Sequence, residues 1–360
     1  MELKPILKKM LELEASDLHL KVGTPPTIRI NGELTSFGTD PLTRDDLRET
    51  ASSLMTKDQQ SRFLEEKELD FGLGVPGVSR FRVNIYIQRG SIGIAIRPIS
   101  REIKTIKELN LPSILEEMAL AIRGLILVTG TTGSGKSTTL ASMLEYLNKN
   151  KRKHIITIED PIEYLLSDKK SIISQREIGT DTKSFRSSLR HVLRQDPDII
   201  MIGEIRDIET METALKAADT GHLVFSTLHT LNAPETINRI ITFFPPYQHQ
   251  HIRVLLSSVI KGIISLRLLP RKDGTGRIPA TEILVSTPTI REYLLDEAKT
   301  RQILDTIREG EQYHMHSFDQ SVMKLYKEGI IDFETALENV NNPDEFKMRL
   351  KGIEQSSKRW

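Results

Sequence analysis

The sequence predicts an α/β protein built on a parallel sheet, preceded by a smaller α+β unit and followed by helices. Three observations carry that reading. Short apolar runs alternate with helical repeats from about residue 113, a glycine-rich loop sits between one such run and one such repeat, and strict two-residue alternation marks the first hundred residues.

Leu3, Ile6, Leu7 and Met10 recur at i, i+3, i+4 and i+7, so the chain opens on an amphipathic helix, and Leu18, Leu20 and Val22 then alternate as a strand does. In residues 27–34 the Asn31-Gly32 pair favours a two-residue hairpin turn. A second hairpin places Phe81, Val83, Ile85 and Ile87 on one face and Arg80, Arg82 and Asn84 on the other. It turns near Arg89-Gly90-Ser91 and resumes with Ile92, Ile94 and Ile96. Residues 1–100 are therefore expected to form an α+β domain with an antiparallel sheet. Residues 101–112 lose all period and are expected to be a linker.

The grammar then changes. A helix from about Ser113 ends before Gly124, and the apolar run 125–128 reads as a buried strand. A helix follows to about Asn148, then a strand at 155–158, a helix containing Phe185, Leu189 and Val192, and a strand at 199–202. A helix at 209–219, stopped by Gly221, leads to a strand at 223–227. This alternation argues for crossover connections and a parallel core over 113–270, with a mostly helical subdomain over 271–360 whose helices run from about Thr289 to Lys351.

Charged residues make up 28% and hydrophobic ones 38%, ordinary values for a globular protein of 360 residues. No run approaches the eighteen apolar residues that span a bilayer, and the first residues lack the apolar core of a secretory signal, so a cytoplasmic location is expected. The absence of cysteine excludes disulfides, thiol catalysis and cysteine-ligated zinc. Fifty basic against 49 acidic residues, a net charge of +1, provide no global field for a polyanion, so nucleic acid is not an expected partner.

Gly130, Thr131, Thr132, Gly133, Ser134, Gly135, Lys136 and Ser137, with Thr138 behind them, fit the phosphate-binding loop at every required position. The glycines let successive amides turn inward around a phosphate, and the helix behind adds its positive end. Lys136 reaches the β- and γ-phosphates, and the Ser137 hydroxyl can ligate Mg²⁺. The implied ligand is a nucleoside triphosphate. In residues 198–204 an apolar strand ends in an acid, but Gly203 stands where the aspartate is usual. Glu204 is left to do the electrostatic work there, holding Mg²⁺ through a water or orienting the nucleophile. Glu159, Asp160 and Glu163 bring three carboxylates into a proline-punctuated turn after the second core strand. One of them can orient an attacking water, and spacing alone does not choose among them. His222 and His229 flank the next strand, His229 at the carboxyl end and His222 at the opposite one.

In this order and spacing, the loop, acidic turn, strand end and histidine pair resemble the type IV pilus retraction motors, the PilT/PilU branch of the secretion ATPases. Residues 16–20, Pro25-Pro26 and 29–32 resemble the opening of that family's PAS-like N-terminal domain, and 80–84 its arginine-bearing hairpin. The resemblance implies a RecA-like ATP-hydrolysing core and a homo-hexameric ring. It also implies docking at the inner face of the cytoplasmic membrane through a pilus platform protein. By resemblance, Glu163 is the catalytic carboxylate, Glu204 the second acid, and His222 and His229 the histidine box around the nucleotide. Arg80, Arg82 and Arg97 are the candidates for positive charge delivered from the first domain.

Assembly-type relatives carry a tetracysteine metal site and a longer N-terminal region, so assembly is disfavoured. Where main retraction motors read Ala-Ile-Arg-Asn-Leu-Ile-Arg-Glu, this chain has residues 289–296, Thr-Ile-Arg-Glu-Tyr-Leu-Leu-Asp. Residues 317–320 and 325–329 resemble the auxiliary PilU-like members, which act beside a paralogous motor. The rival readings are a RecA-like nucleic-acid translocase, supported by the basic run 149–154, and a ring subunit that binds ATP without turning it over.

Overall fold

The computed structural model describes residues 2–30, 32–100 and 102–350. Asn31 of the first hairpin turn, Arg101 at the head of the expected linker, and Lys351 at the end of the expected helices lie outside them. Contacts divide the chain into two units, one of Met1–Glu102 with Glu159–Leu165 and Arg176–Lys183, the other of the remainder.

In the first unit, α1 (Leu3–Glu12) buries Ile6, Leu7 and Met10, the stripe that the spacing predicts. Strands β1 (Asp17–Lys21), β2 (Thr27–Ile30) and β3 (Glu33–Ser36) follow, then α2 (Arg44–Leu54) and α3 (Lys57–Glu66). Both helices begin on reciprocal capping boxes, Thr43 with Asp46 and Thr56 with Gln59, which satisfy otherwise orphaned amides. Strands β4 (Glu68–Val75), β5 (Ser79–Gln88) and β6 (Ser91–Pro98) complete a sheet in the order β3-β2-β1-β6-β5-β4, with neighbouring strands paired antiparallel. The predicted turn between β5 and β6 has Arg89 at φ +48° and Gly90 at φ +71°, the left-handed pair that a two-residue hairpin requires. Phe81, Val83, Ile85, Ile94 and Ile96 are buried on one face against Leu7, Met10, Leu47 and Phe63, which leaves Arg80, Arg82 and Asn84 on the other.

The second unit begins with irregular chain. The described residues of the expected linker, 102–112, have neither helix nor strand, yet Ile106 and Leu111 are buried in this unit's core. Then come α4 (Ile114–Ala119), β7 (Gly124–Thr129), α5 (Lys136–Asn150), β8 (His154–Glu159), β9 (Ile172–Glu177), α6 (Phe185–Val192), β10 (Ile199–Ile202), α7 (Ile208–Asp219), β11 (Leu223–Leu228), α8 (Ala233–Thr242) and α9 (His249–Val259). Strands β12 (Ile260–Pro270) and β13 (Arg277–Val285) precede α10 (Pro288–Leu295), α11 (Ile303–Arg308), α12 (Phe318–Lys327), α13 (Phe333–Asn339) and α14 (Pro343–Leu350). The sheet order is β13-β12-β7-β11-β10-β8-β9, with β12, β7, β11, β10 and β8 mutually parallel. Its central strands are buried along their whole length, as both-face burial of a parallel sheet demands.

The division expected after Pro270 falls inside a hairpin, because β12 and β13 pair antiparallel from Gly262 with Val285 to Pro270 with Arg277. The helices beyond pack on that hairpin: Phe318, Val322 and Leu325 of α12 share a core with Leu269, Ile278 and Ala280.

Candidate functional site

Strand register assembles the site in the second unit. Thr129 pairs with Leu228, and Ser226 with Ile202, so β7, β11 and β10 end along one edge of the sheet. The phosphate loop leaves β7 there, His229 follows β11 and Glu204 follows β10. At about 4.8 Å per strand, the loop and Glu204 issue from strands about 10 Å apart. That edge is the crevice where open parallel sheets hold their ligands.

The loop is tightly built. Gly130 has φ +139°, and a Cβ there would lie 2.5 Å from both the Leu266 carbonyl oxygen of β12 and Ser134 Oγ, so only glycine fits. Gly133 and Gly135 also have positive φ, and Gly135 caps α5 in the left-handed region. The Lys136 ammonium is curled back to donate to the carbonyls of Gly130 at 2.8 Å and Thr131 at 2.9 Å. Ser134 Oγ is buried and has no hydrogen-bond partner among the described residues. An orphaned hydroxyl, a folded lysine and a cradle that excludes any Cβ fit a bound phosphate chain. Ser137 lies half-buried in the first turn of α5, where a cation beside that chain would be ligated. Thr131 and Thr132 are exposed, and Thr138 is half-buried in the same turn.

Thr129 anchors the loop's entry by donating its hydroxyl to Ser265 Oγ of β12 at 2.9 Å. Ser265 pairs with Glu282 of β13, a wholly buried carboxylate whose Oε1 accepts from the Ala233 amide at 2.9 Å, where α8 begins. Burial pushes the Glu282 carboxyl up. Because only residues 229–232 separate β11 from α8, this contact fixes the segment that begins at His229.

Glu204 is largely shielded. Its Oε1 pairs with Arg206 at 2.5 Å and its Oε2 lies 3.4 Å from His229 Nε2. Thr227 Oγ1 donates to the Gly203 carbonyl at 2.7 Å and fixes the backbone at the position where the usual aspartate is missing. Sequence reasoning did not find Arg206, although it stands two residues beyond Glu204.

His222 must be set apart from this group. It lies at the amino end of β11, its carbonyl accepts from the Gly124 amide at the start of β7, and its Nδ1 lies 3.0 Å from the Ala217 carbonyl. A six-residue strand spans about 20 Å, so within this chain His222 stands at the opposite end of β11 from His229 and the phosphate loop.

The other expected residues belong to the first unit. Glu163 is exposed in the 159–165 segment, which is tied to the sheet's last strand region by the Leu165 amide donating to the Ser100 carbonyl. Arg80 pairs with the buried Glu177 at 3.0 Å. Arg82 lies 3.5 Å from Asp70. Arg97, directly across from Arg82 in the sheet, makes two bonds to Asp17 Oδ1 at 2.9 and 2.7 Å. The sequence analysis missed Glu177, because its partner lies 97 residues away.

Residues 96–340 match the family described as Type II/IV secretion system protein. Full-length kinship narrows this further: the chain is 42% identical over 346 residues to the Pseudomonas aeruginosa type IV pilus retraction ATPase PilT, covering 96% of this chain and all of that one. The chain belongs to the PilT/PilU-like retraction ATPases. It is also 40% identical to Pseudomonas aeruginosa type IV pilus ATPase PilU, over 98% of this chain and 92% of that one. The solved structure of the retraction motor PilT with bound ADP superposes with a TM-score of 0.88 at 46% identity, covering 96% of this chain and 98% of that one. Secretion-ATPase membership and the built phosphate loop make this a nucleotide-binding site. Among the described residues, no helix is long and apolar enough to cross a membrane.

Proposed function

We propose that this protein is an Mg²⁺-dependent ATPase that works as a homo-hexameric ring on the cytoplasmic face of the inner membrane, engages a pilus platform protein there, and powers pilus retraction and twitching motility. The observation that carries this reading is the phosphate loop itself, with Gly130 wedged against Leu266, Lys136 curled over the loop and Ser134 left unpartnered, in a chain aligned along its length with retraction ATPases.

In this reading the inward-turned amides of the loop and the start of α5 hold the phosphates, and Lys136 exchanges its two carbonyl partners for phosphate oxygens. Mg²⁺, when bound beside Ser137, neutralises charge that develops between the β- and γ-phosphates. Glu204, paired with Arg206 through Oε1, would act on the cation through water. Glu163 orients the attacking water, and Arg80, Arg82 or Arg97 supplies positive charge from the first unit, a contribution of about 10³- to 10⁵-fold where such an arginine is correctly placed. Tying hydrolysis to charge from another unit couples chemistry to domain movement.

Auxiliary action beside a paralogous motor is the second reading, favoured by residues 289–296 and by kinship with PilU as extensive as that with PilT. The deciding experiment is a retraction assay in cells that carry this gene as the sole motor. Retraction there establishes a stand-alone motor, and retraction only after a paralogue is restored establishes the auxiliary.

A further inference from the structure

Glu177 is 1% exposed, and its carboxylate draws together three segments of the first unit. Oε1 accepts from the Gly72 amide of β4 at 2.8 Å. Oε2 accepts from Arg80 Nη2 of β5 at 3.0 Å and from the Ile162 amide at 3.3 Å, one residue before Glu163. Its own amide donates to Asp181 Oδ2 at 2.8 Å, and the next amide, of Ile178, donates to the Glu159 carbonyl at 2.9 Å, so the 159–165 segment is held at two points. Space around the carboxylate is fully used. A Cβ on Gly72 would lie 2.5 Å from Glu177 Oε1 and 2.7 Å from Arg80 Nη2.

A buried ion pair is a poor device for stability alone, since desolvation offsets most of its attraction and apolar side chains of similar volume do as well or better. What this one provides is registration: a single oxygen is shared between the guanidinium of the hairpin and the main chain that carries Glu163. Arg80 also keeps Nε buried without a partner among the described residues, so Glu177 fixes the guanidinium while satisfying only part of it. We propose that Glu177 is a positioning residue for ATP hydrolysis, which holds the main chain that carries Glu163 against the Arg80 hairpin and acts through Glu163. The inference rests on the reading of Glu163 as the residue that orients water.

The test uses the purified full-length chain with ATP and Mg²⁺. In Glu177→Gln the side-chain oxygen still accepts from Gly72, while the amide group that replaces Oε2 accepts from neither Ile162 nor Arg80. The expected result is a kcat about tenfold or more lower, KM for ATP within about twofold, and no additional loss beyond about twofold when the change is placed in a Glu163→Gln background. Gly72→Ala retains both charges, displaces the carboxylate from the opposite side and should reproduce the same pattern, which carries the test if Glu177→Gln does not fold. Wild-type kcat in a folded Glu177→Gln, a rise in KM alone, or losses that multiply in the double variant overturn the proposal. Wild-type turnover in Glu163→Gln by itself defeats the underlying reading of Glu163, an outcome visible before the double variant is made.

Discussion

Glu204 holds Arg206 on one carboxylate oxygen and faces His229 Nε2 across 3.4 Å on the other. In the proposed reading, Glu204 acts electrostatically at this strand end, through water rather than as a direct ligand of the cation. Glu204→Gln should therefore retain nucleotide affinity within a few-fold while lowering kcat by about 10² or more, the scale of losing one preorganised electrostatic group. Steady-state kinetics beside equilibrium nucleotide binding would check it, and parallel losses in both would refute it.

Lys136→Ala removes the ammonium that now bridges the Gly130 and Thr131 carbonyls. The Thr131 carbonyl belongs to an exposed residue and can turn to water, while the buried Gly130 carbonyl loses its partner, so the melting temperature should fall modestly. Binding of ADP, read by calorimetry, should fall at least about 100-fold, the loss expected for a charge-assisted contact to phosphate.

Gly130→Ala should fail differently. The new Cβ meets a β12 backbone carbonyl at 2.5 Å in a conformation that L-residues rarely adopt. The cost is about 2–3 kcal/mol from strain and steric displacement together. Chemical denaturation should show that loss in the absence of nucleotide, whereas Gly133→Ala, with open space around its Cβ position, should show mainly the smaller conformational cost.

His316 links the C-terminal helices to pH. Its Nε2 lies 2.8 Å from Thr281 Oγ1 of β13, and burial, followed by the charge of Lys324, pushes the imidazole pKa down to about 4 from 6.5. The folded state thus binds this proton less readily than the unfolded state. The stability it contributes is present above about pH 6.5 and is lost as pH falls toward 4, on the order of 3 kcal/mol in all. Denaturation midpoints between pH 7 and 4.5 should fall more steeply for the wild type than for His316→Gln, and identical slopes would refute the assignment.

What was legible in the sequence was local. The β5–β6 hairpin announced itself through alternation and a turn pair, and the phosphate loop through eight consecutive residues in strand-to-helix context. The strands that escaped notice lacked such punctuation. No glycine or proline separates α9 from β12, which begins at the residue after Val259, so helical and extended periods ran together. In β13, Pro279 weakens the strand signal, and it is accommodated because β13 lies at the sheet edge. In the site, Glu204 and His229 could each be named, but their pairing required the register of β10 with β11. Glu177 carried no sequence signal, since its significance comes from residues of two other segments.

The Leu266 carbonyl that presses on Gly130 belongs to the hairpin on which α12 rests. One antiparallel pair of strands thus carries both the packing surface of the C-terminal helices and the carbonyl that leaves room for nothing but glycine at the mouth of the loop.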